Sequence, residues 1–174
     1  MNRRIAIRNA MIIAAGASLL PACHWEESGG IVLKNIPITG TQQKLLAALT
    51  DAIIPTDKNF IGAADIKAHE FTLIMLDDCA SPDDQEKFAA GLKSFDIACK
   101  DKYGQSFGKI SPLQKQNLLT ALETKKEMPE DAIRFYATVK RYTLQCFTSS
   151  KNYMNDVLHY KMVPGSNFNG CVKV

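Results

Sequence analysis

The sequence has no apolar run long enough to cross a bilayer. Its most apolar stretch, Ala10–Leu20, is about a dozen residues, against the roughly twenty that a spanning helix needs. No Gly-x-Gly-x-x-Gly, Gly-x-x-x-x-Gly-Lys or Gly-x-Ser-x-Gly is present, so the phosphate-cradling loops and the nucleophile elbow have no counterpart here. Cys-x-x-Cys is missing, and with it the usual zinc and c-type haem attachments. His24, His69 and His159 are scattered, and none stands four residues from another histidine or a cysteine on a helical face. Nothing alternates for long with the Val, Ile and Thr richness of a sheet. Excess charge is lacking too. The 21 basic residues include Arg3, Arg4 and Arg8, and those that remain balance the 18 acidic ones. A neutral domain offers no basic footprint for nucleic acid.

What is present begins with Met1-Asn2-Arg3-Arg4-Ile5-Ala6-Ile7-Arg8, a cationic start that runs into the apolar stretch. That is the layout of a signal peptide. Arg3 and Arg4 before a modest apolar region resemble the twin-arginine export signal, which carries folded proteins. Leu20-Pro21-Ala22-Cys23 resembles a lipobox, in which the sulfur of Cys23 receives a diacylglyceryl group and Cys23 becomes the first mature residue. Each buried acyl methylene contributes about 0.8 kcal/mol, and a lipoprotein cysteine normally carries enough chain for stable anchoring. These features predict a signal peptide over residues 1–22, a Gly- and Pro-bearing tether over 23–40, and a domain over 41–174, held on the periplasmic face of the inner or outer membrane.

The domain reads as all-α, a single bundle of about five or six helices with an irregular C-terminal tail. Leu45, Leu46, Leu49, Ala52 and Ile53 form an apolar stripe that ends at Pro55. A second helix, from about Ala64 to Cys79, is apolar around much of its circumference and should be central. Ser81-Pro82-Asp83-Asp84 starts a third with a capping hydroxyl, a proline at the first position and acids at the positive end of the dipole. Its face is Phe88, Leu92, Phe95 and Cys99, and Tyr103-Gly104 ends it. Ser111-Pro112-Leu113-Gln114 is a capping box that leads to Leu118, Leu119 and Leu122. A fifth helix should run from Glu130 to Phe147 on a stripe of Ile133, Tyr136, Ala137, Lys140 and Leu144. A short sixth is expected near Tyr153 to Tyr160. The acidic pairs Asp77-Asp78 and Asp83-Asp84 flank a helix boundary and are expected as caps.

With Cys23 lipidated, Cys79, Cys99, Cys146 and Cys171 remain for an oxidising compartment, and four thiols allow three pairings. Cys79 and Cys99 stand at the start of the third helix and far along it, separated by roughly 27 Å of helical rise, too far to bridge. Pairs that involve Cys146 and Cys171 are favoured, or a bridge to another subunit; Cys99 and Cys146 as buried thiols is the other outcome.

Taken together, the chain resembles the gluconate 2-dehydrogenase subunit 3 family, the small subunit of membrane-associated FAD-dependent dehydrogenases. The resemblance runs from the Arg3-Arg4 signal through Leu49-Thr50-Asp51-Ala52-Ile53-Ile54-Pro55-Thr56-Asp57, Phe88-Ala89-Ala90-Gly91-Leu92 and Tyr103-Gly104 with Phe107 and Leu113. It closes on Phe147-Thr148-Ser149-Ser150, Tyr160, Pro164-Gly165 and Gly170-Cys171, with Ser150 where relatives often have proline and Val163 where they often have a bulky aromatic. The resemblance implies a non-catalytic subunit without a cofactor of its own. It implies a large FAD-bearing partner of the glucose-methanol-choline type that oxidises a sugar or sugar acid, and a cytochrome c as electron acceptor. Tyr160, Pro164, Gly165, Gly170 and Cys171 would then belong to the partner interface. The competing expectation from the residues is an autonomous lipid-anchored binding protein with no oxidoreductase partner.

Overall fold

The computed structural model describes residues 30–58 and 60–160. Among them are five α-helices and no strand. Helix α1 spans Gly40–Ile53, α2 Ala68–Cys79, α3 Pro82–Tyr103, α4 Pro112–Glu123 and α5 Glu130–Thr148. A 3-10 turn, Phe107–Lys109, joins α3 to α4, and a π-helical turn, Tyr153–Val157, follows α5.

The starts obey local chemistry. Thr39 and Ser111 accept from the backbone N–H of Gln42 and Gln114, whose side chains reach back to the cap residues, completing two capping boxes. Ser81 caps α3, with Pro82 in its first turn and Asp83 and Asp84 at its positive end. The same helix stops at Gly104, whose φ of 71° is a left-handed conformation that glycine adopts without a side-chain clash.

The core forms where α3 and α5 pack. Phe95 is fully buried, with its ring centroid 5.4 Å from that of Phe107 and 5.5 Å from that of Phe135. The Phe88 ring meets that of Phe135 at 5.0 Å, tilted by 50°. Such pairs add roughly 0.5–1.5 kcal/mol to what burial alone supplies. Gly91 permits the approach, because a Cβ there would lie 2.7 Å from both the Asp131 carbonyl oxygen and Phe135 Cβ. Helix α4 is tied to α5 by polar bonds: the Tyr136 hydroxyl and Lys140 Nζ both donate to Glu123 Oε1, at 2.8 and 2.6 Å.

Four expectations shift. Helix α2 begins at Ala68 instead of Ala64, because Lys67 sits at φ 52° and breaks the run, while Ala63 N–H and Asp65 close the preceding loop through Ile54 O, Thr56 and Gly62. It is also less central than expected: Leu73 and Leu76 are buried, but Ile74 is 46% exposed. The buried stripe of α5 is Ala132, Phe135, Tyr136, Val139 and Thr143, one residue around the helix from the expected one. The observed rotation buries Phe135 and Val139 and leaves Ala137 and Leu144 exposed and Lys140 part-exposed, which removes more apolar surface from water. The sixth element is the π turn, shorter than a helix to Tyr160.

Candidate functional site

The C-terminal end of α5 carries an open aromatic cluster. Phe147 lies between Phe60 and Tyr153, with ring centroids 5.3 Å away on both sides. Around them is a small cavity of about 70 Å³ whose walls include Ile61, Asn152 and Val157. Phe60 and Val157, both in that wall, are substantially exposed, as are Leu158 and Tyr160 further along the closing turn. Local geometry turns the chain back at this point. His159 has φ 48°, and Tyr160 N–H donates to Met154 O at 2.8 Å, so a reversal of the helix-closing type is made without glycine.

Tyr160 is the last described residue and one of the expected interface residues. Pro164, Gly165, Gly170 and Cys171 lie outside the described residues, as do Arg3, Arg4 and Cys23.

A second concavity, about 570 Å³, separates the start of α3 from the middle of α5 and is lined by Cys79, Asp84, Lys87, Arg134, Arg141 and Tyr142 among others. Its charges are largely spoken for. Lys87 pairs with Asp83 and Arg134 with Glu130, both at i,i+4 spacing on exposed surface, and Arg141 lies 4.6 Å from the Tyr142 ring. Exposed pairs of this kind contribute little to stability.

Cys79, Cys99 and Cys146 are all free thiols. Cys99 is fully buried, donates to Gln105 O at 3.4 Å, and burial pushes its pKa up to about 11. Burial also raises Cys146, whose sulfur faces Ile66 O just before α2. Cys79 closes the other end of α2, so the helical rise of roughly 17 Å keeps these two apart. Cys171 is beyond the described residues, and any bridge to it lies there too. Among the described residues no three His, Cys, Asp or Glu side chains gather as metal ligands, and no helix is long and apolar enough to cross a membrane.

The polar constellation that the sequence left unread is centred on Asp77. The sequence predicts that it caps a helix boundary with Asp78; instead it is 5% exposed and holds the segment before α1. Its Oδ2 accepts from Lys34 N–H at 2.8 Å, and its Oδ1 from the N–H groups of Asn35 and Ile36 at 2.7 and 2.9 Å. These backbone donors, the Lys34 amide first, hold the carboxyl below the usual carboxylate range against the opposing effect of burial. Asn35 Nδ2 and Gln85 Nε2 both donate to Asp77 O, and Gln43 Nε2 to Ile31 O. The stretch from Gly30 to Thr39, the latter part of the expected tether, is thereby strapped to the bundle, with Ile36 in the core. The available signal was an acid at the i+4 position from Leu73, inside the buried stripe of α2.

The family described as gluconate 2-dehydrogenase subunit 3 matches residues 40–165, from the first residue of α1 past the closing turn. No curated protein and no solved structure matches the chain.

Proposed function

Since the chain belongs to the gluconate 2-dehydrogenase subunit 3 family, and so to the subunits of a dehydrogenase complex, we propose that it is the non-catalytic partner of a larger FAD-dependent subunit. That partner, of the glucose-methanol-choline type, oxidises a sugar or sugar acid and passes electrons to a cytochrome c. The small subunit contributes contact surface, export and anchorage. Arg3 and Arg4 direct the folded pair through the twin-arginine route, and Cys23 holds it to the membrane by acyl chains.

The observation that carries this reading is the open aromatic end. Phe60 and Val157 line one cavity and are exposed there, and Leu158 and Tyr160, exposed as well, follow in the segment that the family match carries on to residue 165. Aromatic anchors ringed by polar residues are the usual centre of a protein interface. Their exposure is what a docking end requires and what a sealed monomer avoids.

Affinity purification from the native membrane tests it. A flavoprotein should co-purify in near-equal amount, and Phe60→Asp should remove it while the bundle stays folded. Recovery of the chain alone and flavin-free would favour the autonomous binding protein. Replacing Arg3 and Arg4 together by lysine should leave both subunits in the cytoplasm; normal export of the catalytic subunit would end the export part of the proposal.

A further inference from the structure

The strap gives the bundle a fixed side. Asp77 fastens Lys34, Asn35 and Ile36 by three backbone bonds, Gln43 holds Ile31 O, and Ile36 is 3% exposed. Only residues 24–29 lie between Cys23 and Gly30. A chain of that length reaches roughly 25 Å at full stretch. Had the whole of the segment up to α1 been free, the reach would be more than twice as great, roughly 60 Å.

The surface at the end of this short leash is apolar. Val32 is 95% exposed, and a shallow groove of about 490 Å³ runs beside it, lined by Ile31, Leu33, Ile36, Pro37 and Ile38 among others. Between Gly30 and Thr39 the sequence has one basic residue, Lys34, and no acidic one. An apolar edge with a cation suits anionic headgroups above an acyl boundary. The aromatic cluster lies toward the other end of α2, since Phe147 follows Cys146, which faces Ile66, whereas Asp77 is near the last turn. The rise between those ends is roughly 17 Å.

We propose that the strap is the membrane-facing surface of this protein: the clasp at Asp77 converts a lipid anchor at Cys23 into an orientation of the bundle, with Val32 and its apolar neighbours against the lipid surface. This rests on the reading of Cys23 as the acylated residue. The occupant of the strap groove is the headgroup region of the bilayer that holds the anchor, and the aromatic end is left clear for a protein partner.

The test uses the full lipidated chain, purified from its membrane and placed in phosphatidylethanolamine and phosphatidylglycerol vesicles that contain headgroup-spin-labelled lipid. Mass spectrometry first reads Cys23; a chain without acyl mass overturns the anchor and this orientation together. With Trp25→Phe as background, an indole is introduced by Val32→Trp or, as the distant control, by Ile97→Trp. Both positions are exposed, so neither change disturbs the core, and Ile97 lies roughly 18 Å along α3 from Gln85 at the clasp. Quenching severalfold stronger at the first position supports the orientation. Equal quenching, or none at the first position on an acylated chain, overturns the orientation and leaves the anchor standing. Inserting a dozen Gly and Ser residues after Glu27 should bring the two signals together; undiminished preference for the first position would overturn the leash as its cause.

Discussion

Two aromatic clusters in this protein have nearly the same internal geometry and opposite surroundings. In the first, Phe88, Phe95, Phe107 and Phe135 meet at centroid distances of 5.0–5.5 Å, all within the buried core. In the second, Phe60, Phe147 and Tyr153 meet at 5.3 Å, yet Phe60 remains 45% exposed, as does Val157 in the wall of the same cavity. Ring contact therefore does not distinguish structure from recognition. What does is the backbone around the rings: Gly91 lets two long helices close over the first cluster, whereas a loop and a π turn border the second and leave one side open.

The contrast is broken most severely from the inside. Phe95→Ala should cost about 3–5 kcal/mol, read as a fall in the denaturation midpoint, because it removes the ring that bridges Phe107 and Phe135. Gly91→Ala should cost about 1–3 kcal/mol by forcing α3 from α5, and a crystal structure of the variant should show the helices displaced at Asp131. Ser111→Ala removes one capping hydroxyl, with an expected loss of about 1 kcal/mol. In the turn that follows the open cluster, Tyr160→Ser should change stability by no more than about 0.5 kcal/mol, in keeping with exposed positions. Its effect should fall on recovery of the partner in affinity purification; an unchanged yield would remove Tyr160 from the interface.

Asp77 sharpens the comparison along a different axis, since it fastens the segment before α1 with polar bonds. Its folded-state pKa lies below the ordinary 3.8, so the stabilisation from its ionised form is fully present above about pH 4 and is lost as pH falls through the lower folded value. Asp77→Asn should lower the melting temperature at neutral pH, and the gap to wild type should narrow on acidification toward about pH 3. Hydrogen exchange at Lys34, Asn35 and Ile36 should quicken in that variant while exchange inside α3 is unchanged. A gap that widens in acid would contradict the assignment.

Much of this fold was legible because helix boundaries are local events. Ser81-Pro82, Ser111-Pro112 and Gly104 act through neighbouring backbone groups, and the α3 face of Phe88, Leu92, Phe95 and Cys99 repeats at a helical period without a competing register. Helix α5 had two. Stripes through Ile133 and Ala137 or through Phe135 and Val139 both fit the period and share Tyr136; the second buries more apolar surface and fits the close approach of α3 at Gly91. Family resemblance marks Tyr160, whereas Phe60 carries no local signal, because it is distant in sequence from Phe147 and meets it only when the loop after α1 folds back.

By itself, then, the sequence determined the all-α class, the capped ends of the helices, the face of α3 and the family, all of which depend on residues within a few turns of one another or on their order along the chain. Tertiary structure alone decided the rotation of α5, the open aromatic end and the role of Asp77, whose carboxylate reaches amides 41 to 43 residues earlier in the chain. The physical reason is the same in each case: a buried carboxylate or an exposed ring is defined by what stands opposite it, and that neighbour comes from a different helix or from the segments that join them.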